Sequence, residues 1–309
     1  MTFYRYFNGK LLITGEYLVL DGAQALAVPV KFGQRLQVDD SFRQKIEWKS
    51  MDHKGTPWFS GSYSLNNFEI LETSNPTIAV YPQRLLRAAQ KLNFGFLANS
   101  EGCSVIATLN YPQPWGLGSS STLITAVARW AKVDPFDLHF AVSKGSGYDI
   151  ACSESKGPIL YSIHNHTPVF KEIKFHPDFS ENIFFVYLGK KKDTSVEINA
   201  YKVKVPETNS KWIAEASRLT REIIHSTNLD SFEKTIRDHE MLISSLLGQP
   251  SVKNNIFHDL QGEVKSLRAW GGDFCMLTWH DVPEVLPKYL SGKGFDTWFS
   301  FNEIVLLHS

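Results

Sequence analysis

The chain has 309 residues, 43% of them hydrophobic and 21% charged, with 32 Lys+Arg against 32 Asp+Glu. This length and balance fit a globular chain with room for two lobes and exclude a disordered one. A formal net charge of +0 gives no electrostatic footprint for nucleic acid, and no apolar run is long enough to span a bilayer. Residues 1–8 lack the charged and apolar regions of a secretory signal, so a cytoplasmic protein is expected. Three cysteines, Cys103, Cys152 and Cys275, form no Cys-x-x-Cys pair and argue against a disulfide framework.

The first third reads as β-rich. Leu11–Thr14, Tyr17–Leu20, Ala25–Val30, Arg35–Val38 and Lys45–Trp48 are short β-prone runs. Residues 78–92 carry the helical spacing Ile78, Val80, Leu85, Leu86, Ala89. Cys103–Leu109 reads as extended, and a helical run with Leu123, Ile124, Val127 and Trp130 follows the loop at 112–122. Residues 136–142 suggest a short helix, and 159–163 and 169–175 suggest strands. Asn, His, Pro and Asp cluster at 164–180, which places a lobe boundary near residue 170 (1–170 and 171–309). Beyond it come a strand at 183–188 and helices over 195–203, 211–226 and 231–247. Strands at 274–279, 297–301 and 304–307 follow, with a helix near 282–290. The alternation suits a sheet covered on one face by helices.

Four segments carry polar residues in patterns suited to chemistry. The first runs Gly9-Lys10 through Thr14-Gly15-Glu16-Tyr17, a lysine opening an apolar strand with a glutamate at its far end. Here Lys10 is either a solvated charge or a site group, and Glu16 either holds a turn or meets a ligand. The second is Pro112-Gln-Pro114-Trp115-Gly116-Leu117-Gly118-Ser119-Ser120-Ser121-Thr122, lying between a strand and a helix. First-turn amides of a helix lack internal partners and carry partial positive charge, so such a loop suits phosphate; an ordinary capped turn is the alternative. It is neither a Walker A loop nor a Gly-x-Gly-x-x-Gly fingerprint. The third is Gly145-Ser146-Gly147-Tyr148-Asp149-Ile150-Ala151, an aspartate in a glycine turn that is either a helix cap or a reactive carboxylate. The fourth is Trp270-Gly271-Gly272-Asp273-Phe274-Cys275, a glycine turn entering an apolar strand. His164-Asn165-His166 has metal-like spacing but no partner motif, and reads as a surface turn. Trp115 suits either an adenine ring or ordinary packing. Lys190, Lys191 and Lys192 suit either an anionic substrate or a solvated face.

In this order the segments resemble the GHMP kinase superfamily, ATP-dependent kinases of small molecules. Lys10 to Tyr17 is similar to its first motif, Lys-x-x-x-x-Gly-Glu-His/Tyr, and Pro112 to Ser120 to its second, Pro-x-x-x-Gly-Leu-Gly-Ser-Ser. Residues 271–275 resemble the third, with Trp270 where the family has a small residue. Ser121-Thr122 stands where the family has Ala-Ala. Residues 15–17, 145–151, 188–195 and 271–275 look most like phosphomevalonate kinases, then mevalonate kinases.

The resemblance implies a two-lobed α+β fold, with an N-terminal lobe like ribosomal protein S5 and a ferredoxin-like C-terminal lobe. It implies ATP and Mg2+ as cofactors, a small-molecule acceptor, and a monomer or homodimer. Asp149 corresponds to the base toward the acceptor oxygen, and Lys10 to the lysine that steadies the phosphoryl group. Pro114, Trp115, Gly116, Leu117, Gly118, Ser119, Ser120 and Ser121 would line the nucleotide site, with Ser120 on the magnesium. Glu16, Tyr17, Ser146, Gly147, Lys190, Ser195, Gly271 and Gly272 would face the acceptor. Phosphomevalonate is the leading acceptor, with mevalonate or another alcohol second. A nucleotide-binding protein without turnover is the alternative of another class, against which the retention of Lys10 and Asp149 argues.

Overall fold

The structure, a computed structural model, describes residues 3–165, 167–189, 201, 203, 210–267 and 272–308. It divides into two compact units that interleave in sequence. Unit 1 comprises residues 1–9, 32–113 and 117–154; unit 2 comprises 10–31, 114–116 and 155–309. The later residues that the sequence assigns to a second lobe are therefore grouped with two early segments. The first two strands, β1 (Phe3–Leu12) and β2 (Ala25–Asp40), each contribute to both units.

In unit 1, β3 (Lys45–Met51), β4 (Pro57–Ser64), β5 (Ile70–Thr73) and β6 (Cys103–Leu109) join the second half of β2 in the order β5-β4-β3-β6-β2. Neighbours are antiparallel except β3 with β6, which run parallel. Strand β6 alternates strictly, burying Cys103, Val105, Ala107 and Leu109, as its period-two sequence requires. Helices α1 (Pro76–Leu92), α2 (Ser119–Ala131), α3 (Pro135–Val142) and α4 (Tyr148–Glu154) supply the rest of the core. There Leu85, Leu86, Ile124, Val127, Leu138 and Ile150 meet Val38, Trp48, Phe59 and Val105.

In unit 2, the hairpin β7 (Ile159–His164) and β8 (Thr167–Glu172) pairs through β7 with Ala25–Ala27 of β2. A second sheet contains β9 (Ile183–Tyr187), β10 (Val264–Ser266), β11 (Phe274–Thr278) and β12 (Trp298–Ser300), all antiparallel, in the order β10-β11-β9-β12. Helices of this unit include α5 (Ser210–Ile224), α6 (Leu229–Leu247), α7 (Val252–Ile256), α8 (Leu286–Gly292) and α9 (Phe301–Ile304). Phe184, Val186, Phe257, Leu277 and Leu286 centre one core cluster, and Leu18, Ala216, Ile243 and Leu246 another.

Two expected strands are absent. Residues 17–20 form a tight turn: Tyr17 takes φ 61°, and the N–H groups of Leu18 and Val19 donate back to the carbonyls of Glu16 and Gly15. Residues 301–304 form α9 because Ser300 and Glu303 close a capping box, leaving Val305 to bridge Val30. The helix expected over 195–203 lies outside the described residues except at Tyr201 and Val203. All three cysteines are buried, and burial pushes the Cys103 thiol up to about 12.

Candidate functional site

The sequence-selected residues fall into two clusters, one within each unit. In unit 1 the chain enters α2 through Leu117, fully buried, and Gly118, whose φ of 98° is left-handed and whose position is the N-cap. A glycine there adopts the conformation without strain but brings no side chain, and no side chain caps the helix. The first-turn amides of Ser119, Ser120 and Ser121 thus receive no capping bond from the N-cap side chain. Ser120 is exposed, and its carbonyl accepts from Tyr81 Oη at 3.3 Å. Thr122 turns inward to Gln34 Oε1 at 2.8 Å.

Asp149 lies half-buried in the first turn of α4. Its Oδ2 accepts from Ser121 Oγ at 2.5 Å. Further along the same two helices, Ser153 Oγ lies 2.8 Å from Thr125 Oγ1, and Arg129 Nε lies 2.8 Å from Glu154 Oε1. Ser121, Thr125 and Arg129 are four residues apart and therefore share one face of α2. Before Asp149, Ser146 is buried and Gly147 takes φ 86°. The buried ring of His139 meets the Gly145 carbonyl through Nε2 at 3.2 Å.

In unit 2 the Lys10 ammonium, only 1% exposed, donates to the Gly116 carbonyl at 3.2 Å. Gly116 takes φ 68°, and a Cβ there would stand 2.1 Å from Asp273 Oδ2. The buried Asp273 carboxylate therefore packs directly on this glycine, and only hydrogen fits. Asp273 itself takes φ 27°, and its carbonyl accepts from the Leu188 N–H at 2.8 Å. Pro114 is exposed and its carbonyl accepts from Tyr187 Oη at 3.1 Å. Trp115 packs edge-on against Phe274 and Phe299, with centroids at 6.2 and 5.3 Å.

Glu16 is 1% exposed and belongs to a buried ion cluster. Lys265 Nζ donates to Glu16 Oε1 and, at 2.9 Å, to Glu240 Oε1; Glu240 also accepts from the Ser266 N–H and hydroxyl. His239 Nε2 accepts from the Gly15 N–H at 3.1 Å, which places its proton on Nδ1. Burial pushes the Glu16 carboxyl up to about 7, against the pull of Lys265, because two carboxylates share one ammonium. Burial works to lower Lys265, but the two carboxylates outweigh it and the net direction is upward. Burial, then the Lys265 charge, holds His239 well below the usual imidazole range. Tyr17 stacks tilted on Tyr201 at 5.2 Å. Gly272 is buried, and Lys190, Ser195 and Gly271 lie outside the described residues.

Lys265, Glu240 and His239 did not register in the sequence reading. A signal was present: 239 and 240 fall on the face of α6 that carries Phe232, Ile236 and Ile243, where polar residues need partners. Among the described residues no group of three His, Cys, Asp or Glu is arranged to hold a metal, and no helix is long and apolar enough to cross a membrane. A groove of about 590 Å³ on the unit 1 sheet is flanked by Arg43, Lys45, Glu47 and Glu72. These charges pair with one another.

No protein-family model matches the chain, and no curated protein does. Solved structures do. Streptococcus pneumoniae phosphomevalonate kinase in complex with phosphomevalonate and AMPPNP aligns with a TM-score of 0.72 at 16% identity, over 97% of this chain and 100% of that one. Methanococcus jannaschii mevalonate kinase gives 0.70 at 18%, over 100% and 98%. Lactococcus lactis galactokinase complexed with galactose gives 0.67 at 10%, over 100% and 94%. The fold is that of the GHMP kinases, a two-lobed α+β architecture. Its structural relatives include both kinases of the mevalonate branch that the motifs resemble.

Proposed function

We propose that this protein is an ATP-dependent small-molecule kinase of the GHMP type, with phosphomevalonate as acceptor. One observation carries the reading: the Asp149 carboxylate is fixed at the first turn of α2, a helix whose opening amides no side chain caps. Anion-binding amides beside a positioned carboxylate are what phosphoryl transfer requires, since that reaction depends on placement and on charge neutralisation.

The residues fit a polyphosphate. Gly118 presents backbone without a side chain, and Ser120, an exposed residue, would with phosphate oxygens form the hard-oxygen donor set that Mg2+ takes. Bound there, Mg2+ would neutralise phosphate charge. The bond between the γ-phosphorus and the β,γ-bridging oxygen breaks, an acceptor oxygen forms the new bond, and ADP leaves. An alcohol acceptor gives its proton to Asp149, which would contribute roughly 10²–10⁴-fold as a general base. A phosphate acceptor is already ionised and needs Asp149 mainly for placement.

A coupled ADP-release assay with phosphomevalonate, mevalonate, homoserine and galactose tests the reading. Turnover with phosphomevalonate above the others is expected. Preference for mevalonate overturns the acceptor, and ATP binding without turnover on any of the four overturns the kinase.

A further inference from the structure

We infer that Ser121 is a positioning residue for Asp149, the first rung of a three-rung lock that fixes α4 against α2. The inference rests on the kinase reading for its catalytic consequence, but its geometry stands alone. Ser121 Oγ donates to Asp149 Oδ2 at 2.5 Å, with the serine 6% exposed. One turn on, the Thr125 and Ser153 hydroxyls meet at 2.8 Å, and Thr125 also donates to the Ser121 carbonyl at 3.0 Å. The third rung is the Arg129–Glu154 ion pair.

The position is informative because the superfamily motif has alanine there, which offers no hydroxyl. In this chain the hydroxyl takes one carboxylate oxygen, Oδ2 of Asp149. A hydroxyl so engaged is not free to hold a nucleotide, so Ser121 acts on the reaction through Asp149. Its neighbour Ser120 is exposed. The two adjacent serines thus divide the work, one facing solvent and one facing the carboxylate.

The test compares Ser121→Ala, Ser121→Thr and Thr125→Val in the full chain. Misplacement of a reacting group by about 1 Å costs on the order of 10²-fold, so Ser121→Ala is expected to lower kcat roughly 10-fold to 100-fold. Its KM for ATP stays within about twofold, the pattern of an interaction made in the transition state. Ser121→Thr, which keeps the hydroxyl, restores most of the rate. Thr125→Val lowers the melting temperature more than it lowers kcat. A second readout needs no turnover: the Asp149 side-chain ¹³C resonance, assigned by its loss in Asp149→Asn, moves in Ser121→Ala and returns in Ser121→Thr. An unmoved resonance overturns the positioning role whatever the acceptor. A moved resonance in a protein without turnover sinks the kinase reading and leaves the lock intact. A moved resonance with unchanged kcat overturns the catalytic consequence.

Discussion

Lys265 neutralises two carboxylates at once in a site where all three groups are nearly inaccessible to water. Breaking such a cluster strands the remaining charges, so Lys265→Met is expected to cost about 3–5 kcal/mol in urea unfolding. A loss below about 1 kcal/mol would mean that the lysine is not their counter-ion. The same cluster sets a pH dependence. The folded-state pKa of Glu16 lies above its ordinary 4.5, at about 7. Its contribution to stability is therefore complete below 4.5 and lost as the pH rises through about 7. His239 works oppositely: its pKa is lowered from 6.5, so its contribution is complete above 6.5 and lost on acidification. Glu16→Gln removes only the first effect. The melting temperature of the parent should fall relative to this variant as the pH rises from 4.5 to about 7; a gap that does not change with pH contradicts the assignment. At Gly116, alanine would place a methyl 2.1 Å from the Asp273 carboxylate. The 114–116 segment must then move, and AMPPNP affinity measured by calorimetry should drop while the fold persists by circular dichroism.

Helices α2 and α4 show how an element brings its polar face to a neighbour. Their apolar residues, Ile124, Val127 and Ile150 among them, are buried in the unit 1 core, which brings the polar face of α2 to α4. The rungs at 121, 125 and 129 then line up because 3.6 residues make a turn. Buried hydroxyl pairs contribute about 1 kcal/mol each, so Ser153→Ala should lower the unfolding free energy by roughly that amount. Hydrogen exchange at Ile150 and Ala151 should quicken in the same variant; unchanged protection there would argue that α4 is held by apolar packing alone. Helix α2 was legible from its apolar spacing, although it starts at Ser119, four residues before the first apolar position used to find it. The glycine N-cap explains the early start. The turn at 17–20 was not legible, because an apolar tetrapeptide reads as a strand until the φ of Tyr17 is known.

At the scale of the molecule, the interleaving of the units has a physical consequence. Unit 2 draws residues 10–31 from early in the chain, and with them Glu16, the partner of Lys265. A fragment spanning 155–309 lacks that carboxylate and the β2 segment that pairs with β7. It should not unfold cooperatively in urea, whereas the full chain should; a cooperative transition in the fragment would mean that the early segments are dispensable. The sequence by itself determined the α+β class, the strand–loop–helix around Gly116 and Gly118, and the residues worth suspecting, because spacing and glycine chemistry are local properties. Only the tertiary structure decided that Glu16 is buried with Lys265 and Glu240, that Asp273 packs on Gly116, and that Ser121 holds Asp149. Those partners lie 249, 25, 157 and 28 residues apart. A polar side chain finds its partner through the packing of whole elements, and no periodicity along the chain encodes that distance.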